Sequence, residues 1–134
     1  MKRLFVIFLV TVLTSCGTSL EPPKSNTDDK NIIGKPVKIG NLEIAQYDFQ
    51  KKMFWDDAKK ACEALGEGWR LPRKDELNVL YENKDKIGGF SNSLYWSSTE
   101  HDNNGSAWFQ FFINGLQWAN YKLNILSVRA VRVK

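Results

Sequence analysis

Cysteine is nearly absent from this chain: 134 residues hold two, Cys16 and Cys62. Cys16 directly follows an apolar leader, so the sequence beyond it keeps one thiol with no partner. That excludes a disulfide-held scaffold and leaves a packed core as the source of stability. Histidine occurs once, at His101, with no cysteine or acidic pair at metal-ligand spacing beside it, and it reads as a solvated loop residue. Long apolar runs are missing too, since the stretch from Leu4 to Leu13 falls short of the ~20 residues a membrane-spanning helix needs. No Ser-His-Asp set and no glycine-rich phosphate loop occurs, so no enzyme activity and no cofactor are expected. Charge of one sign is also scarce. The formal net charge of +4, less the charges of Lys2 and Arg3 in the leader, leaves +2, which is no signature of a nucleic-acid partner.

What is present begins with an address. Met1-Lys2-Arg3 is a short basic start, Leu4 to Leu13 is almost wholly apolar, and Leu13-Thr14-Ser15-Cys16-Gly17 follows. This is the design of a secretory signal. The small residues before Cys16 resemble a bacterial lipobox, in which the cysteine thiol takes a diacylglycerol and becomes the new N-terminus. Several acyl chains on one residue make a durable membrane anchor, at ~0.8 kcal/mol per buried methylene. The expected organisation is a lipoprotein signal peptide over residues 1–15, a flexible tether over 16–35 and one domain over 36–134. The tether is rich in Ser, Thr, Asn, Lys and Asp with the pair Pro22-Pro23. Such a chain belongs in a bacterial cell envelope, lipid-anchored at the outer membrane or cell surface.

Beyond the tether, Val37 and Ile39, then Leu42, Ile44 and Ala45, flank Gly40-Asn41 and predict two short strands with a turn. Trp55 to Leu65 predicts a helix, with Ala58, Ala61, Cys62 and Leu65 at i, i+3, i+4 and i+7 and Gly66 as its stop. Cys62 thus lies in the buried stripe as a small packed residue. A second helix runs from Pro72 to about Asn83 and buries Leu77, Leu80 and Tyr81. Residues 87–93 read as loop, and Leu94 to Ser97 opens a β-rich half.

Ala107 to Ile113, Asn114-Gly115 and Leu116 to Lys122 predict a hairpin closed by a two-residue type I′ turn, both central residues at positive φ. That turn sets Ile113 opposite Leu116, Phe111 opposite Trp118 and Phe109 opposite Asn120. One face then carries Phe109, Phe111, Ile113, Leu116, Trp118 and Asn120, and the other Trp108, Gln110, Phe112, Gln117, Ala119 and Tyr121. Both faces are apolar. Either two layers sandwich the hairpin, or one face is bare for a partner.

Three patches recur in order: Trp69-Arg70-Leu71-Pro72, then Tyr95-Trp96-Ser97-Ser98-Thr99-Glu100, then Val128-Arg129-Ala130-Val131-Arg132. Together they resemble the DUF1566, or Lcl C-terminal domain, family over roughly Ile39 to Val133. The resemblance implies a C-type-lectin-like α+β fold, two helices packed on a small antiparallel sheet, with the last strand returning toward the first. Where the family commonly has Thr or Ser after Leu-Pro, this chain has Arg73, so a capping box with Glu76 is half missing. The family's polar hairpin positions correspond to Phe109, Phe111, Ile113, Leu116, Trp118, Tyr121 and Leu123. That departure resembles the variable proteins of diversity-generating retroelements, which rewrite a binding face on a lectin-like scaffold. The calcium signatures of lectins, Glu-Pro-Asn or Gln-Pro-Asp with Trp-Asn-Asp, do not occur, so no metal is expected.

The expected function is that of a lipid-anchored surface binding module. Its ligand is an unknown protein or glycan, held by Phe109, Phe111, Ile113, Leu116, Trp118, Asn120 and Tyr121. A structural subunit of an envelope assembly, with the same hairpin buried against a neighbouring chain, is the alternative, and self-association into a homo-oligomer stays open.

Overall fold

Gly40, at φ +61°, and Asn41 reverse the chain between β1 (Val37–Ile39) and β2 (Leu42–Ile44). In this computed structural model, which describes residues 29–102 and 105–134, β2 also pairs with β6 (Val131–Val133). Leu42 lies opposite Val133 and Ile44 opposite Val131, so the last strand returns beside the first as expected. The leader, Cys16 and the tether to residue 28 lie outside the described residues.

The domain reaches further toward the N-terminus than the predicted boundary at residue 36. Asp29–Ile32 forms a 3-10 turn, and Ile32 is 5% exposed within the core. The Tyr47 N–H donates to the Ile32 carbonyl at 3.0 Å, tying this segment to the chain leaving β2. An isolated apolar pair, Ile32-Ile33, after a polar run is too short a periodic signal to place in advance.

Helix α1 (Trp55–Ala64) buries Trp55, Ala58 and Cys62 and carries Asp56 and Asp57 in its first turn, where the helix dipole favours acids. Helix α2 (Lys74–Glu82) buries Leu77 and Leu80. Its N-terminus shows how the missing cap is replaced. The Arg73 guanidinium has only donors and cannot accept from the helix. Glu76 does its half, taking the Arg73 N–H at 2.8 Å, while the Lys74 N–H donates to Thr99 Oγ1 at 2.9 Å. The cap comes from a strand 25 residues away. Arg70 clasps the same Glu76 carboxylate through two bonds, of 2.7 and 2.9 Å. Burial works against that carboxylate, but the bonds from Arg70 and Arg73 outweigh it and hold its pKa below the usual range. A four-residue helix α3 (Lys84–Ile87) follows, a feature the periodicity does not predict.

The C-terminal half forms a separate sheet of β3 (Leu94–Glu100), β4 (Ser106–Phe111) and β5 (Gln117–Tyr121), with β4 in the middle. There are thus two three-stranded sheets rather than one. Apolar side chains collect in two clusters. One gathers Trp55, Ala58, Cys62, Trp69 and Leu71 around Trp96 and Phe109, and the other gathers Leu77, Leu80 and Ile87 around Tyr95 and Phe112. Neighbouring β3 residues Tyr95 and Trp96 point into different clusters, as alternation along a strand requires.

Between the sheets lies Arg129, 0% exposed. Its Nε donates to Asp48 Oδ1 at 2.6 Å, Nη1 donates to the Ala45 and Gly88 carbonyls at 3.1 and 3.2 Å, and its face lies 4.0 Å from the Phe90 ring centroid. The Tyr95 hydroxyl donates to Asp48 Oδ2 at 2.5 Å and accepts the Ser91 N–H at 2.8 Å. Burial raises the Asp48 pKa, Arg129 and Tyr95 pulling it part of the way back. The Tyr95 hydroxyl, also buried and bound to Asp48, is pushed up to about 12.

Removing one member should therefore cost more than removing both. Asp48→Asn strands the Arg129 charge and is expected to lower unfolding free energy by about 3–5 kcal/mol, whereas Asp48→Leu with Arg129→Met costs clearly less. Urea denaturation of the native chain and the two variants checks this, and a double variant as unstable as Asp48→Asn would contradict it.

Candidate binding surface

The hairpin forms, but its connection is two residues longer than the local turn chemistry predicts and its register slips by two. Phe109 lies opposite Trp118, Gln110 opposite Gln117 and Ala107 opposite Asn120. The strand stops at Phe111, whose N–H donates to the Leu116 carbonyl at 2.8 Å, while the Gly115 N–H donates back to the Phe111 carbonyl at 2.7 Å. Four residues, 112–115, make the connection, and of the Asn114-Gly115 pair only Gly115 has positive φ. This corrects the type I′ turn. The cause is Phe112, which turns inward at 1% exposure, its ring centroid 4.4 Å from Tyr95 and 4.7 Å from Phe90. Gly115 must be glycine for a second reason, because a Cβ there would come within 2.5 Å of the Tyr81 ring. A slip of two preserves the side-chain alternation, so every residue that remains in a strand keeps its predicted face.

The seven expected ligand-binding residues divide. Phe109 is 9% exposed and belongs to the core, which corrects its assignment to a bare surface. The reason is position: β4 is the middle strand, and Phe109 packs beside its β3 partner Trp96. Phe111 is half-buried against the same cluster and is at most the inner rim of a surface. Ile113 and Leu116 are both 55% exposed, Trp118 66% and Tyr121 72%. Asn120 is half-buried and occupied locally, its Oδ1 accepting from Asn124 Nδ2 at 2.6 Å and the Tyr121 N–H at 2.9 Å. Both ideas about the hairpin thus apply, to different strands: β4 is sandwiched and β5 is open.

Two exposed residues, Leu123 at 83% and Ile125 at 55%, extend the surface beyond the expected set. Their signal was visible, since Tyr121, Leu123 and Ile125 alternate with polar Lys122 and Asn124. The Trp55 N–H donates to the Lys122 carbonyl at 3.1 Å, which brings the half-exposed Phe54 to the same loop. Trp118 lies on one face of β5, with Leu116 two residues before it, and Tyr121 lies on the other, so the apolar residues wrap an edge strand rather than paving one plane.

Strand addition along that edge is restricted. The outward N–H of Tyr121 is taken by Asn120, and its carbonyl accepts the Asn124 N–H at 2.9 Å. Only the backbone of Gln117 and Ala119 is left open for strand addition, and the rest of what this edge presents is side chain.

The cation within the apolar loop is engaged. Lys122 pairs with Glu100 at 2.8 Å, holding that carboxyl below its usual range, and its Nζ lies 4.2 Å from the Trp55 ring centroid. Arg132 is spent on Glu43 and Glu67 at 2.6 and 3.0 Å. His101 is half-buried, its ring 5.4 Å from that of Trp108, rather than fully solvated. Cys62 is 0% exposed and burial drives its thiol pKa up, so it is a packing residue and no nucleophile.

The division predicts opposite mutational outcomes on one cross-strand pair. Phe109→Ala should destabilise the domain by about 3–5 kcal/mol. Trp118→Ser should stay within about 0.5 kcal/mol, the range of ordinary surface changes. Thermal and urea unfolding decide, and comparable losses at both positions would contradict the division.

The sequence profile of the Lcl C-terminal domain family matches residues 25–132. Among curated proteins no sequence match is found. Solved structures share the architecture. Botrocetin is 12% identical with a TM-score of 0.56, over 75% of this chain and 98% of its own. EMS16, described as an antagonist of collagen receptor integrin alpha2beta1, is 10% identical with a TM-score of 0.55, over 74% and 97%. A chain of the complex between a mutant von Willebrand Factor A1 domain and botrocetin gives 13% and 0.54, over 75% and 98%. At these identities the likeness concerns fold alone, and the α+β fold is C-type-lectin-like.

Proposed function

The chain belongs to the Lcl C-terminal domain family, and from that premise we propose that it is a non-enzymatic binding module for a protein ligand at a bacterial cell envelope. One observation carries the reading. Of the nine exposed large hydrophobic residues among those described, six fall between Ile113 and Ile125. Scattered exposed apolar residues are ordinary, but this concentration on an edge strand and its flanking loops is not. Trp118 and Tyr121 supply the aromatic anchors that dominate most protein interfaces. Leu116, Ile113, Leu123 and Ile125 supply apolar surround, and Phe109 and Phe111 support the strand from inside.

The fold's relatives favour a protein over a sugar as the ligand here. One is described in complex with a von Willebrand Factor domain and another as an integrin antagonist. Lys122, the one cation between Ser106 and Val128, is held by Glu100, which argues against a polyanion as the ligand of the hairpin. The diversified-hairpin reading requires a near-copy of the codons for about Asn103 to Val133 beside a reverse transcriptase in the genome. A lipid on Cys16 would keep the module at a membrane while the tether gives it reach.

Two experiments test the proposal. An array of extracellular proteins and glycans is probed with the native chain and with Leu116→Ser/Trp118→Ser. Binding to at least one protein, weakened about thirtyfold in the variant, is expected from a hot-spot loss of ~2 kcal/mol. Binding to glycans alone, or an obligate oligomer on sizing that buries these residues as an envelope subunit would, overturns it. For the anchor, mass spectrometry of the chain purified from bacterial membranes should show a lipidated Cys16 N-terminus, with Cys16→Ala leaving the membrane fraction. An unmodified Cys16 removes the anchor without touching the ligand.

A further inference from the structure

Arg129 and Tyr95 use only two of the roughly four lone-pair directions of the Asp48 carboxylate, one on each oxygen. The side chain is not sealed. It is 19% exposed, and it faces a cleft of about 320 Å³ lined by Asn31, Ile32, Tyr47, Asp48 and Gln50. None of these residues belongs to the hairpin. The cleft lies within the ~300–1,000 Å³ common for small-ligand sites. Its frame is fixed from below, since the N–H groups of Gln46 and Tyr47 donate to the Ile33 and Ile32 carbonyls at 3.0 Å.

We propose that this cleft is a second binding site, taking a neutral sugar ring. Three features select that chemistry. Tyr47, 52% exposed, gives a flat aromatic wall on which the C–H face of a pyranose can lie, and the buried Ile32 adds apolar floor. Asn31 and Gln50 are exposed carboxamides, each able to donate to and accept from vicinal hydroxyls. Asp48 offers acceptors to hydroxyl donors at the base. Its charge is already matched by the fully buried Arg129 at 2.6 Å, so an ammonium ligand would meet a compensated carboxylate and gain little. An anionic ligand would meet Asp48 and no unpaired cation among the lining residues. A hydroxylated, uncharged ring with one apolar face is what remains. The site is independent of the hairpin and its protein ligand, so the two stand or fall separately.

Saturation-transfer difference NMR on the full chain in detergent micelles tests it, with N-acetylglucosamine, methyl mannoside and cellobiose as neutral probes and glucosamine and glucuronate as charged ones. Transfer to the ring protons of at least one neutral probe is expected. Affinity should fall about tenfold, a loss of ~1.4 kcal/mol, in Tyr47→Ala and in Gln50→Ala. Trp118→Ser should leave it unchanged. Both cleft substitutions are at exposed positions, and an unchanged thermal midpoint shows that they fold. No transfer from any neutral probe, transfer from a charged probe alone, undiminished binding in Tyr47→Ala, or loss in Trp118→Ser each overturns the assignment.

Discussion

The Arg129–Asp48 pair is the constraint on which the rest of the domain depends. A guanidinium at zero exposure is tolerable only when its donors are matched, and here they are matched by groups far apart in sequence. Asp48 and Ala45 come from the chain leaving β2, and Gly88 from the loop after α3. Tyr95, on β3, clamps the other carboxylate oxygen. One charged group therefore sets the spacing between the N-terminal sheet, the glycine-rich loop and the C-terminal sheet. Gly89 follows from the same demand, because a Cβ there would sit 3.2 Å from the guanidinium and 3.3 Å from the Gln46 carbonyl. With one thiol among the described residues, and that one buried in α1, such a network is how this domain fixes the relation of its parts without a disulfide.

From that arrangement the exposed surface follows. Once Tyr95 and Trp96 are committed to opposite clusters, β4 beside them must also be covered on both sides, and Phe109 and Gln110 both vanish from solvent. Gln110 meets its burial by bonding Asn78 and the Gly115 carbonyl at 2.9 and 3.1 Å. Only β5, the outer strand, is free of the sandwich. Apolar side chains there are exposed, so on the proposed reading Trp118 and Tyr121 would bear on binding, while the equally aromatic but buried Phe109 bears on stability.

Much of this was legible before any coordinates, where a periodic pattern was long enough to carry it. The i, i+3, i+4 spacing of Ala58, Ala61 and Cys62 located α1 and the buried thiol. Strand alternation places residues 108–111 of β4 and all of β5 on their proper faces, and that survives a wrong register because the slip is two residues and not one. What sequence could not supply were contacts between distant segments. Asn114-Gly115 is a strong local turn signal, yet burial of Phe112 against Tyr95 and Phe90 outweighs it. Arg73 in the capping position looked like a defect, because nothing local announces that Thr99 will arrive from β3. Ile32 reads as part of the tether because no pattern surrounds it, yet it packs in the core.

The placement of charge narrows what the open strand can recognise. Arg70, Arg129 and Arg132 are each committed to carboxylates, and Lys122, the cation nearest the apolar loop, is held by Glu100 and an indole face. The cation within the apolar loop is therefore already engaged and offers little to a charged partner. With backbone pairing confined to Gln117 and Ala119, affinity for the proposed protein ligand would come from desolvating Trp118, Tyr121 and their aliphatic neighbours. A partner suited to this edge presents pockets for rings rather than a strand or a charged patch. The same loops can then change residue by residue without disturbing the Arg129 network, because none of the exposed side chains takes part in it.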